Sequence, residues 1–171
     1  MVGKLPEPAT VPRVGFAEEG HAIALVGMFE PALEGSELEK LRGRLGESLP
    51  PLDLPAHADA LVRVRAAVRG GELPTAHDVS EGGLACALAE CCIEGGIGAR
   101  VRLDDGEAAL FGEGPGGVVV AGPRAAVEQL EGAIVVGDVG GDALEIEGTL
   151  SVPVTELRAA HEGAIPAALG S

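Results

Sequence analysis

The stretch TAHDVSEGGLACALAECCIE, residues 75–94, decides how the chain is read. Its first six residues form a short polar extended segment. Two glycines then open a run in which Leu84, Ala87, Leu88, Cys91 and Cys92 recur at helical spacing. Apolar residues cover so much of the girth of this helix, 82–94, that it belongs at the centre of the core. Gly95 and Gly96 stop it.

Toward the N-terminus, residues 56–69 predict a second strong helix, with an apolar stripe of Leu61, Val64 and Val68. Arg63, Arg65 and Arg69 lie in its C-terminal half, and Gly70-Gly71 end it. SLPPLDLP, 48–55, is too rich in proline for regular structure and reads as a crossing loop. Ser36 can cap a helix reaching Leu45, with Leu38, Leu41 and Leu45 on one face. HAIALV, 21–26, reads as a strand closed by Gly27, and residues 1–12 as a tail or linker.

Toward the C-terminus, residues 99–103 alternate apolar positions with Arg100 and Arg102, which predicts a strand with one buried face. GVVVA, 117–121, predicts a strand buried on both faces, and Gly122-Pro123 opens a helix through Leu130. Residues 134–139 and 144–146, joined through Gly140-Gly141, read as a hairpin. A strand at 149–152 and a terminal helix at 154–162 complete the pattern. Helices and strands mix without strict alternation, so the expected class is α+β: one domain, 13–171, built as a layered α/β sandwich.

Composition removes whole classes of function. In 171 residues, 27 Asp and Glu against 12 Lys and Arg leave a net charge of -15, which repels nucleic acid and anionic lipid. There is no Trp or Tyr on which unpaired bases could stack. No apolar run approaches the ~20 residues of a membrane span, and the N-terminus lacks a secretory pattern. Cys86, Cys91 and Cys92 share one apolar helix and read as free thiols of a reducing compartment, so the expected location is cytoplasmic.

Chemistry concentrates where the polar segment meets the core helix. His77, Asp78, Ser80, Glu81, Gly82 and Gly83 surround a helix start whose N–H groups and glycines could accept an anionic ligand. Ser80 can cap, and Asp78 with Glu81 could hold Mg²⁺ through oxygen. The alternative is a plain helix cap with solvated acids. Glu113 lies in a glycine loop before a buried strand, a position that can face a site. That loop, 112–117, matches GxGxxG by spacing. It precedes a strand instead of following one, and Pro115 stiffens it, so a chance match explains it. His21, His57 and His161 read as surface or helix-face residues, and no catalytic triad can be nominated.

Taken together, AHDVSEGGLACALAE (76–90) and its flanks resemble the last domain of phosphoribosylformylglycinamidine synthase subunit II. The flanks are VGFAEEGHAIALVG (14–27), LEGSELEKLRG (33–43), LPPLDLP (49–55), GGIGARVRL (95–103), LFGEGPGGVVV (110–120), VVGDVGGDALEI (135–146) and VPVTELRAAHEG (152–163). The resemblance implies the fold of the aminoimidazole ribonucleotide synthetase C-terminal-domain type, with partial ferredoxin-like topology. It implies that this chain is one of four domains of a purine-biosynthetic amidotransferase. There ATP phosphorylates the formamide oxygen of formylglycinamide ribonucleotide, and ammonia then displaces phosphate to give the amidine.

For the parent enzyme, the resemblance implies ATP and Mg²⁺ as cofactors. The implied partners are the enzyme's other domains, a glutaminase subunit and a small bridging subunit, with self-association through the exposed domain face. Asp78 matches a metal-binding Asp by internal pseudo-symmetry. Glu113-Gly114-Pro115 stands where a Glu-Ser-Gln substrate loop would be, with only the Glu retained. The catalytic residues would lie in other domains, leaving this one inactive alone beside a pseudo-site. Two further readings are a stand-alone module binding a phosphorylated metabolite, and a domain of a related enzyme such as selenophosphate synthetase.

Overall fold

A computed structural model describes residues 11–27, 29–44, 46 and 52–170. The expected tail up to residue 10, Leu45 and residues 48–51 of the 48–55 loop therefore lie outside the described residues. The end of that loop is corrected: Asp53 caps the helix that follows, whose first turn takes in Leu54 and Pro55 because proline is tolerated there. In chain order the elements are β1 (Ala22–Val26), α1 (Glu37–Leu41), α2 (Leu54–Arg69), β2 (Thr75–Asp78), α3 (Gly83–Gly95), β3 (Ala99–Val101) and α4 (Glu107–Phe111). They continue with β4 (Val118–Gly122), α5 (Arg124–Gln129), β5 (Ala133–Val139), β6 (Ala143–Ile146), β7 (Leu150–Pro153) and α6 (Val154–Leu169).

One seven-stranded sheet, ordered β2-β4-β1-β5-β3-β6-β7, separates two apolar layers. Alternation along the strands sends each residue to one layer or the other. Ala22, Ala24, Val26, Val118 and Val120 face Val64 and Ala67 of α2 and Val127 of α5. Ile23, Val119, Ala121, Val101 and Ile146 face the opposite way, onto Leu84, Leu88, Cys91 and Cys92 of α3. All five residues of β4 are buried, as its continuous apolar run predicts. The α+β sandwich is borne out, with α3 lying on the sheet as the core helix.

Two further expected features are corrected. β5 and β6 do not form a hairpin: β3 lies between them, pairing antiparallel with β5 and parallel with β6. Ala99 and Val101 complete the apolar face that β5 and β6 would otherwise share, so a non-local partner displaces the local one. The terminal helix also does not stop at 162 but continues through Pro166 to Leu169. Its inner end is fixed by Arg158, whose guanidinium donates to the Ile93 carbonyl near the end of α3. Gly96 in the left-handed conformation, φ 67°, ends α3 as expected.

The sheet brings three segments together at one end. β2 is an edge strand, extended by Arg13, whose N–H donates to the Pro74 carbonyl at 2.8 Å and whose carbonyl accepts from Ala76 N–H at 3.1 Å. The turn after β2 leads into α3. The glycine loop before β4 then passes beside that turn, because Val79 N–H donates to the Gly117 carbonyl at 2.8 Å.

Candidate functional site

A cleft of about 550 Å³ opens at this junction. Asp78, Ser80 and Glu81 line one wall, Glu113 to Val118 another, and His57 with Leu61 of α2 the third. Strand alternation decides which neighbours enter it. Asp78 pairs with Val118, on the α2 side of the sheet, whereas His77 pairs with Val119 and lies on the α3 side. Asp78 is exposed at the cleft. His77 is largely buried and outside it, with Nε2 donating to Glu90 Oε2 at 2.7 Å and Nδ1 3.5 Å from Asp78 Oδ1. Of the residues expected to act together, Asp78, Ser80 and Glu81 thus share the cleft and His77 does not line it.

The helix start differs from the expected cap. Ser80 does not cap α3 through its side chain; its carbonyl instead accepts from Gly83 N–H at 3.1 Å. The Gly82 N–H is taken by Glu113 Oε1 at 2.8 Å. Gly83 is a packing residue: a Cβ there would lie 2.6 Å from the Gly112 carbonyl oxygen, at a φ of 74°. Gly82 is partly exposed and Gly83 buried, so only the first of the pair borders open space.

The loop that mimics GxGxxG has a structural explanation as well. A Cβ at Gly114 would sit 2.8 Å from the Glu30 carbonyl, and one at Gly117 2.9 Å from the Phe29 ring. Glycine lets this loop lie against 29–32, where Ala32 and Glu113 exchange backbone hydrogen bonds of 3.0 and 2.9 Å.

Two residues at the site were not legible as such in the sequence. His57 and Leu61 enter from α2 across a long loop, and no local pattern signals that approach. Leu61, read as part of the buried stripe, is 45% exposed at the cleft, while Val64 of the same stripe is buried.

Asp78 and Glu81, the two acids expected to meet Mg²⁺, both reach the cleft as exposed carboxylates. Among the described residues, no three His, Cys, Asp or Glu side chains gather to hold a metal ion. The third acid of the cleft, Glu113, turns its Oε1 to the backbone N–H groups of Glu37 and Gly82. Magnesium takes near-octahedral oxygen ligation, so Asp78 and Glu81 would supply at most part of its shell and waters or phosphates the rest. The cleft lining holds three carboxylates and no Lys or Arg, so a polyphosphate meets like charge.

Burial disfavours the reactive thiolate form at each cysteine of the core helix. Burial pushes Cys91 up, Cys92 up to about 12, and Cys86 up as well, assisted by nearby acids at Cys86 and Cys91.

Comparison with known proteins agrees with this architecture. The family described as AIR synthase related protein, C-terminal domain, matches residues 18–145. The chain belongs to this family. Among curated relatives, a phosphoribosylformylglycinamidine synthase subunit PurL from an Anaeromyxobacter species is 42% identical, covering 99% of this chain and 25% of its own length. The expected resemblance to that subunit is borne out, and the chain spans about a quarter of the curated relatives it matches. Among solved structures, T. maritima PurL complexed with FGAR superposes with a TM-score of 0.75 at 18% identity, covering 88% of this chain and 30% of the other. T. maritima PurL complexed with ATP gives a TM-score of 0.66 at 18% identity, covering 88% and 28%. These structures share the AIR synthase C-terminal-domain fold with the present chain. No helix among the described residues is long and apolar enough to cross a membrane.

Proposed function

We propose that this chain is the C-terminal-type domain of a phosphoribosylformylglycinamidine synthase, serving it as scaffold and as one wall of a non-catalytic pseudo-site. The parent enzyme would convert formylglycinamide ribonucleotide to its amidine with ATP and ammonia in cytoplasmic purine biosynthesis. The observation that carries the reading is the extent of the likeness: it runs along 99% of this chain yet fills only a quarter of the relative. The cleft supports an inactive role, since its lining holds three acids, no Lys or Arg, and no nucleophile paired with a base. ATP and Mg²⁺ would act in the other domains.

Those domains are the first partners, with the glutaminase and bridging subunits reached through them. A second groove of about 550 Å³ supports a docking role. It lies between α2 and β2, is lined by Leu61, Val62 and Val68, and shares Asp78 and Val118 with the cleft. Without the other domains, this face would favour self-association.

The test combines two arms. The purified chain, given ATP, formylglycinamide ribonucleotide and ammonium, should release no ADP above blank. The same chain, co-expressed with a relative lacking its matching quarter, should restore amidine formation. Turnover by the chain alone, or a failure of the combined proteins to act, would overturn the proposal.

A further inference from the structure

Glu113 makes contacts that neither a solvated loop acid nor a substrate-facing one would make. Its Oε1 accepts one hydrogen bond from Gly82 N–H and a second from Glu37 N–H, each at 2.8 Å. These donors belong to segments far apart in sequence, and Gly82 offers α3 no side-chain cap of its own. The Glu113 backbone is meanwhile bonded to Ala32. Three stretches of chain therefore meet at one carboxylate. Converging backbone N–H groups are how a protein holds an anion, and bonds to an ionised acceptor are roughly twice as strong as neutral ones.

We propose that Glu113 is a built-in anionic ligand. Its carboxylate fills the position that a phosphoryl or carboxylate group from outside would take at this end of the cleft, and it clasps the segment carrying α1 onto the start of α3. The proposal deepens the pseudo-site reading by giving a reason why the cleft is closed to such groups. It is tested on this chain alone, so its failure is distinct from a failure of the parent-enzyme assignment. A glutamate suits the task because one charged oxygen accepts from both donors; the neutral amide of Gln can reach them but holds them more weakly. The backbone bonds between Ala32 and Glu113 and the Arg42–Glu107 pair between α1 and α4 do not depend on the Glu113 side chain and remain to hold the segment when it is replaced.

The experiment follows backbone amides by NMR hydrogen exchange in the wild-type chain, Glu113→Ala and Glu113→Gln, with sodium formate as the anion probe and sodium chloride at matched ionic strength as control. In the wild type, Gly82 and Glu37 amides are protected, and formate moves neither resonance more than chloride does. In Glu113→Ala, both lose protection together by about tenfold or more, the change expected for a lost charge-assisted hydrogen bond. Val119 in mid-sheet keeps its protection. Formate then shifts both resonances saturably with one midpoint, and Glu113→Gln falls between.

Retained protection at either amide in Glu113→Ala overturns the clasp. Equal formate response in wild type and variant, or none in the variant, overturns the anion assignment. Should Glu113→Ala not fold, the joint loss of protection in Glu113→Gln decides the clasp, and the formate response of that variant against wild type decides the assignment.

Discussion

Arg42 and Glu107 meet across the gap between α1 and α4 in a two-pronged pair, Nη1 donating to Oε2 at 2.8 Å and Nη2 to Oε1 at 2.7 Å. The guanidinium holds the Glu107 carboxyl below the usual carboxylate range and is itself raised. Both groups are well exposed, so the pair orients α1 more than it stabilises the fold. Because the carboxyl is lowered on folding, its contribution is present above the ordinary glutamate value of about 4.3 and is lost as pH falls through the lower folded value. An NMR titration should therefore find Glu107 with a midpoint below an ordinary glutamate, and Arg42→Ala should return it to the ordinary value. Identical midpoints in the two proteins would mean that the pair does not form in solution. The same scale shows why the site was only partly legible. The order His-Asp-Val-Ser-Glu could be read in the sequence, but strand alternation, which sends His77 to Glu90 and Asp78 to the cleft, depends on which side of the sheet each helix covers. The Glu113 contacts with Glu37 and Gly82 join distant segments and leave no local pattern.

Elements were more legible than sites, for a physical reason. A helix records its buried stripe in its own periodicity, and a strand its buried face, so α2, α3, β1, β3 and β4 could be placed from local residues. Pairing between strands leaves no such trace. Gly140-Gly141 looks like a hairpin turn, yet the chain on either side diverges to flank β3. The contact between α3 and α4 likewise leaves no local trace, and in sequence its signature residue, Gly83, reads as an opening for a ligand. Gly83 instead packs closely against the end of α4: an added methyl would press on the Gly112 carbonyl oxygen and lie 2.8 Å from the Phe111 carbonyl carbon. Gly83→Ala should destabilise the chain by about 3 kcal/mol, combining the left-handed backbone cost with overpacking. Urea unfolding checks this, and a change within 0.5 kcal/mol would show that α3 and α4 can separate without penalty.

At the scale of the whole molecule, a single sheet is shared by two cores, and this makes independent unfolding of either layer unfavourable. Removing α3 strips one face of β1, β4, β3 and β6 and leaves the α2 layer holding a sheet half exposed to water. The chain has no Trp or Tyr, so intrinsic fluorescence is of little use, but its cysteines report on the α3 layer directly. Cys91 and Cys92 are fully buried against the sheet, and burial raises both thiols far above the range in which thiolate forms at pH 8. A thiol-specific reagent should therefore label them only as the layer opens, whereas far-UV circular dichroism follows helices on both faces. If the sheet couples the two cores, labelling of Cys91 and Cys92 and loss of circular dichroism will share one midpoint in a urea titration. Labelling that runs ahead, at urea concentrations where the dichroism is still native, would mean that α3 lifts from the sheet on its own and that the two layers are separate cooperative units.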